Sequence, residues 1–233
     1  VHSTADMKSF PSFPQNNNSG TAGRTSNDAL SLNVTNTLTY KFYKDQIHSF
    51  NFLLGQEGVN YTSEGFQVIT AGQNNDYLTN LSNGTRAMSW GNSYSSYAYL
   101  SFFGRAEYNY DYRYYVDFSL RTDASSRFGA DNRWGAFWSL GAMWNLRNEA
   151  FMSHTRNWLT FAQISLSTGT SGNSEIPNYE HLALVGGGLD YIGNSGMAPM
   201  QPGNENLTWE STWTSNLGLH FGFWNRLNVD LEL

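Results

Sequence analysis

Cysteine is absent from the 233 residues, so neither a disulfide framework nor a thiolate metal site can form. Charge is scarce: Asp, Glu, Lys and Arg make up 14%, against about 25% in an ordinary soluble domain. The few charges sum to −6 with no basic stripe, which excludes nucleic acid as a partner. No run of about 18 apolar residues occurs, so no transmembrane helix is possible. That lack does not exclude a membrane, because the strands of a barrel need no such run. Val1-His2-Ser3-Thr4 has neither the basic nor the apolar region of a secretion signal, so any export signal is expected outside this chain.

Aromatic residues are abundant instead, at 16%, yet mean hydropathy is −0.49 because Asn, Ser, Thr, Gly and Tyr are common. That balance suits strands greasy on one face and polar on the other. It also suits a soluble sugar-binding β-sandwich, so composition leaves both open.

Residues 1–28 carry Phe10-Pro11-Ser12-Phe13-Pro14 and an Asn/Ser/Gly/Thr tract, and read as loop. A period-two pattern then predicts eight strands, near 29–43, 47–61, 95–109, 113–123, 134–146, 157–170, 207–223 and from 226 onward. In the first, Leu30, Leu32, Val34, Leu38, Tyr40 and Phe42 oppose Ser31, Asn33, Thr35, Thr37, Thr39 and Lys41. In the fourth, Tyr114, Val116, Phe118 and Leu120 oppose Asp117, Ser119, Arg121 and Asp123. In the fifth, Ala136, Trp138, Leu140, Ala142 and Trp144 oppose Phe137, Ser139, Gly141 and Met143.

Short connections follow the first, third, fifth and seventh strands, and longer ones the others, with long loops expected at 62–93 and 171–206. Outer-membrane barrels keep that asymmetry, with short periplasmic turns and long extracellular loops. Aromatic residues gather beside the short turns: Tyr40 and Phe42; Tyr108, Tyr110, Tyr112 and Tyr114; Trp144 and Trp158; Phe223 and Trp224. At a membrane these form an interfacial girdle; in a sandwich they would be core. The expected fold is an all-β, antiparallel transmembrane barrel segment.

Four segments resemble the SusC/RagA family of TonB-linked outer-membrane proteins. Arg121 to Leu146, R-T-D-A-S-S-R-F-G-A-D-N-R-W-G-A-F-W-S-L-G-A-M-W-N-L, is similar to the family's Arg-x-Asp-Gly/Ala-Ser-Ser-x-Phe, Arg/Lys-Trp-Gly and Phe-Pro-Ser run. Glu149-Ala150-Phe151-Met152 resembles its Glu-x-Phe-Met turn. Thr168 to Asn173, with Ile176 and Tyr179, resembles Tyr-Gly-x-Thr-Gly-Asn-x-x-Ile-x-x-Tyr, and Leu207 to Glu210 its Leu-x-Trp-Glu strand. Trp138 stands where Pro is usual, and Thr168 where Tyr is.

The resemblance covers about residues 30–233. It implies part of a barrel of about 22 strands, with the N-terminal plug domain and the TonB-interaction segment absent here. It implies a location in the cell outer membrane, contact with membrane lipid, and import of oligosaccharides or peptides with a SusD-like surface lipoprotein and TonB as partners. A siderophore or vitamin receptor is a rival within transport, and a soluble carbohydrate-binding or glycan-degrading β-sandwich a rival outside it.

No enzymatic chemistry, cofactor or metal is expected. The five histidines do not sit at ligand spacing. Gly186-Gly187-Gly188 lacks the Gly-Lys-Ser/Thr of a phosphate cradle and reads as loop. Asp123 to Asp131 offers too few carboxylates at alternating spacing for calcium; salt bridges from Arg127 and Arg133 are expected there. Loop aromatics Tyr94, Tyr97, Tyr179 and Tyr191 are candidates for stacking on a sugar or peptide.

Overall fold

The computed structural model describes residues 1–16 and 19–233. Alternation becomes strand wherever it was expected, and beyond. The strands are β1 (His2–Ser9), β2 (Gly20–Lys44), β3 (His48–Gln73), β4 (Arg86–Tyr110), β5 (Tyr114–Ser125), β6 (Trp134–Asn145), β7 (Leu159–Asn173), β8 (Leu184–Tyr191), β9 (Asn194–Gln201), β10 (Glu210–Phe223) and β11 (Leu227–Glu232). Nine form one sheet in the order β1-β2-β3-β4-β5-β6-β7-β10-β11, while β8 and β9 make a separate hairpin.

By contacts the chain divides into two compact units. One comprises Val1–Asn33 and Val59–Ala98, the other Val34–Gly58 and Tyr99–Leu233.

In the first unit β1 pairs antiparallel with β2, from His2 opposite Asp28 to Ser9 opposite Thr21. Arg24 Nε meets Asp6 Oδ1 at 2.8 Å across that pair. Ala22, Ala71 and Gln73 are buried, and Thr70 donates its hydroxyl to the Leu81 carbonyl at 2.9 Å.

The expected loop at 1–28 is therefore corrected to a hairpin, apart from Asn17 and Asn18, which lie outside the described residues. Likewise only 74–85 of the expected 62–93 loop connects strands. The reason is physical. β1 is exposed along nearly its whole length, and stretches such as Thr62 to Gln73 mix polar residues on both faces. Backbone pairing holds such strands without a greasy face, so hydrophobic alternation gives them no signature. β2, β3 and β4 consequently run to 25, 26 and 25 residues, well beyond the ~9–11 that cross hydrocarbon.

In the second unit the register is continuous. Leu120 stands opposite Trp138, Phe118 opposite Leu140 and Val116 opposite Ala142. Ala142 then meets Leu166, and Leu166 meets Leu217. Because side chains alternate with period two, this register places all apolar sets on one face of the sheet. Three connections, 45–47, 111–113 and 224–226, are three-residue turns whose first two residues hold positive φ: Asp45-Gln46, Asp111-Tyr112 and Trp224-Asn225. That is the primed turn whose twist matches a right-handed strand pair. The β6–β7 connection instead carries 3-10 turns at Leu146–Asn148 and Ala150–Thr155. It is longer than the β5–β6 connection, so the length asymmetry is less regular than the sequence predicts. The 174–209 connection holds the β8–β9 hairpin, and Gly186 to Gly188 lies in β8 at a break in its register rather than in a loop.

Candidate functional site

The two faces of the sheet define what the segment can do. Val116, Phe118, Leu120 and Leu140 are 43–46% exposed, and Leu166 and Trp213 more so. Buried apolar side chains are few, with Phe128 and Leu159 the only large ones among the described residues. A soluble sandwich would seal these strands' apolar faces against a second sheet. Here these side chains are open, as the inner face of a sandwich is not.

The opposite face carries ions. Arg105 bridges Glu107 at 2.8 Å and Asp117 at 3.6 Å. Arg121 donates through Nε to Asp123 at 2.7 Å, and through Nη2 to Glu57 at 3.1 Å and Ser101 Oγ at 2.9 Å. Asn51 Nδ2 donates to Glu107 at 2.6 Å. Glycines make room for these side chains: Asp117 lies over Gly141, and Phe103 over Gly55. Asn51, Arg105, Glu107 and Asp117, with Ser165 and Ser167, line an open cleft of about 490 Å³.

Above this ladder the connections are braced. Arg127 Nε donates to Asn178 Oδ1 at 2.8 Å and Nη1 to the Ser174 carbonyl at 3.2 Å. The Tyr99 hydroxyl is 3.1 Å from Ser174 Oγ. Ser125 Oγ accepts the Arg127 amide, and Phe128 is sealed under Trp209, with ring centroids 5.1 Å apart. Trp209 Nε1 in turn donates to the Arg133 carbonyl at 2.9 Å. The Arg-x-Asp-Ala-Ser-Ser-Arg-Phe run is thus a loop brace, and the Leu-x-Trp-Glu tryptophan is its lid. In the loop where salt bridges from Arg127 and Arg133 are expected, Arg127 braces through the hydrogen bonds above, while Asp123 pairs with Arg121 on its own strand, two residues away on the same face.

Near the short turns the aromatic side chains touch in series. Tyr40 meets Phe42 at 6.2 Å, Phe42 stacks on Phe50 at 4.5 Å, and Phe50 meets Tyr108 at 4.8 Å. His48 Nδ1 is 2.8 Å from the Tyr108 hydroxyl, and its ring contacts Tyr110. Tyr110 meets Tyr114, and Tyr114 stacks on Trp144. Trp158 stacks on Phe223, which meets Trp224. Tyr112 sits in its turn at φ 56. Phe50, absent from the girdle expected from the sequence, fills the row between Phe42 and Tyr108.

Missed too was a second aromatic row. Trp134 stacks on Phe102 at 6.4 Å, and exposed Trp213 donates Nε1 to Thr168 Oγ1 at 2.8 Å. On β6 the Trp144-to-Trp134 span is ten residues, roughly 33 Å along the strand. At a barrel's tilt of ~35–45° this becomes about 25 Å, the height of an outer-membrane apolar band. The Phe223-to-Trp213 span on β10 is the same length. Spacing between aromatics along one strand was the available signal.

Glu149 anchors the β6–β7 connection and is buried. Its Oε1 accepts from the Tyr114 hydroxyl at 2.6 Å and Trp144 Nε1 at 3.0 Å, and its Oε2 from Arg113 at 3.4 Å. These donors, Tyr114 first, hold its carboxyl below the usual carboxylate range. A depressed carboxylate contributes stability above its unfolded pKa and loses it as pH falls through the folded one. Acidification below the ordinary glutamate range therefore loosens this connection, read as a change in Trp144 fluorescence. Glu149→Gln removes that acid response and weakens the connection at neutral pH.

The sequence-predicted ligand aromatics are placed as follows. Tyr94 and Tyr97 lie inside β4, not in a loop, and their odd spacing puts them on opposite faces; Tyr97 stacks on Tyr61 at 4.9 Å. They belong to the first unit, while Tyr179 and Tyr191 belong to the second. Tyr179 has φ 69 and its carbonyl accepts from Gln201 Nε2. The Tyr191 side chain is outside the described residues. Among the described residues no cluster of three or more His, Asp or Glu is placed to hold a metal ion.

A sheet with one open apolar face, an ionised opposite face and aromatic rows at both ends of the apolar band is the wall of a transmembrane barrel. The chain belongs to the TonB dependent receptor-like β-barrel family, whose model matches residues 3–233, and it is of SusC/RagA type. Such barrels reside in the outer membrane. Two receptors of Formosa agariphila are similar. TonB-dependent receptor P39 is 33% identical over 162 residues, 68% of this chain and 16% of that protein. TonB-dependent receptor P26 is 30% identical over 201 residues, 83% of this chain and 20% of that protein. Among solved structures, that of the RagAB peptide transporter aligns with TM-score 0.93 at 34% identity, covering 99% of this chain and 26% of that one. The RagAB peptide importer in its "open-open" state aligns with TM-score 0.90. This chain thus spans about a quarter or less of the length of the relatives it matches.

Proposed function

We propose that this segment is part of the wall of a TonB-dependent outer-membrane transporter that imports peptides or oligosaccharides, with a SusD-like surface lipoprotein as partner and no catalytic role of its own. One observation carries the reading: the open apolar row and the ionised row occupy opposite faces of one sheet, as a wall between lipid and a polar lumen requires. Likeness to peptide transporters of known structure favours peptides over glycans. In this reading the primed hairpins are periplasmic, the braced loops extracellular, and the two aromatic rows are the membrane girdles. Tyr97 and Tyr179 are offered as substrate-contacting rings, Tyr97 rather than Tyr94 because alternation puts Tyr94 on the same face of β4 as Leu100 and Phe102.

Two results test it. The full-length protein, extracted in detergent, migrates faster unboiled than boiled; recovery as a soluble protein without detergent contradicts a membrane wall. A deletion strain loses growth on peptides as the sole supplied nutrient and keeps growth on glycans. The reverse pattern transfers the assignment to oligosaccharides.

A further inference from the structure

The apolar face carries a groove that the transport reading leaves unused. Its floor is Gly104 and Ala106 on β4, and its walls are Phe52 and Leu54 on β3 and Phe118 and Leu120 on β5. All four wall residues are at least 40% exposed, and the groove encloses about 690 Å³. An apolar cavity of about 150 Å³ takes up one benzene, so there is room here for much of one acyl chain.

Gly104 is the telling residue. Glycine inside a strand weakens it and commonly marks a close approach by a ligand or another backbone. Among the other glycines of this sheet, Gly55 lies under Phe103, Gly141 under Asp117 and Gly172 under Phe137, while Gly58 and Gly91 face open space outside the groove. Gly104 has no ring or carboxylate over it. A Cβ there would meet only the flexible Leu54 Cδ2 at 3.2 Å and the Leu53 carbonyl at 3.6 Å. Its φ is not positive either. Neither packing within the protein nor the backbone demands a glycine, and the space above it stays open.

We propose that this groove holds one fatty acyl chain of an outer-membrane lipid as a bound, slowly exchanging ligand. The occupant follows from continuity: the groove lies within the face that meets hydrocarbon, between the two aromatic rows. Lipid tails are as apolar as the groove, so burial of apolar area does not favour binding there. Retention comes from close contacts summed along the chain: a glycine floor lets methylenes reach the backbone while two phenyl rings flank them.

The test uses the full-length protein in nanodiscs made from a phospholipid with a photoreactive diazirine in one acyl chain. Cross-links are mapped by mass spectrometry. The expected result is labelling at Phe52, Phe118 and Leu120 several-fold above that at Leu140 and Leu166 on the same face, falling to the Leu140 level in Gly104→Leu. Unboiled-gel mobility confirms that the variant is folded, and the milder Ala106→Val gives a partial loss. Uniform labelling of the face, or labelling unchanged in both variants, overturns the proposal. So does protection of the groove by a cross-linkable second barrel.

Discussion

Leu140→Arg lowers the stability of the barrel by about 2–4 kcal/mol, the cost of a cation near the middle of the lipid-facing band. Leu140 is placed for that effect: it lies between Trp134 and Trp144 on β6, is 43% exposed, and stands opposite Phe118. Ser139→Arg, one residue away, changes stability far less. Ser139 pairs with Ser119 on the ionised face, where its Oγ lies 2.6 Å from the Ser119 hydroxyl, and an arginine there reaches water and nearby carboxylates. The comparison is made by urea titration in lipid vesicles. Equal costs at 139 and 140 contradict two-sided solvation; a severe loss at 139 with none at 140 reverses the faces.

Phe128→Ala removes the largest fully buried side chain among those described. The cost is about 3–5 kcal/mol, concentrated in the connections rather than the strands. Trp209 loses the ring it covers, and the Arg133 carbonyl held by its indole is freed. Hydrogen exchange is the measurement: amides at 126–133 and 174–209 lose protection while those of β5 and β6 keep theirs. Phe128→Leu retains most of it. Protection lost equally throughout β5 and β6 shows instead that Phe128 belongs to the global core.

Strands that meet lipid were legible in the sequence because lipid imposes alternation. From Tyr114 to Ser125 and from Trp134 to Asn145 the predicted and observed strands agree to within a residue or two. Where no hydrocarbon sorts the faces, the signal fades: residues 62–73 pair as strand yet read as loop, and so does β1. Turn chemistry was similarly opaque. Asp-Gln, Asp-Tyr and Trp-Asn lack the glycine that usually announces a primed turn, though all six residues hold positive φ. The motifs identified the family, but not what they do. Asp123 turned to Arg121 rather than to the loop arginines, and the part of Trp209 as lid to Phe128 needed a contact 81 positions away in the chain. The buried node at Glu149 depends on donors from β5 and β6 that no local pattern brings together.

The central claim is that hydrocarbon, not protein, covers the even-numbered side chains of β6. Spin labels placed singly at 136, 138, 139, 140, 141, 142 and 143, in a segment with no native cysteine to interfere, test it in lipid vesicles. The account predicts that labels at 136, 138, 140 and 142 collide with dissolved oxygen and not with a water-soluble nickel chelate, and that labels at 139, 141 and 143 are shielded from the oxygen held in lipid. Even-numbered labels closed to both reagents would mean a dry protein interior against that face, and would contradict it.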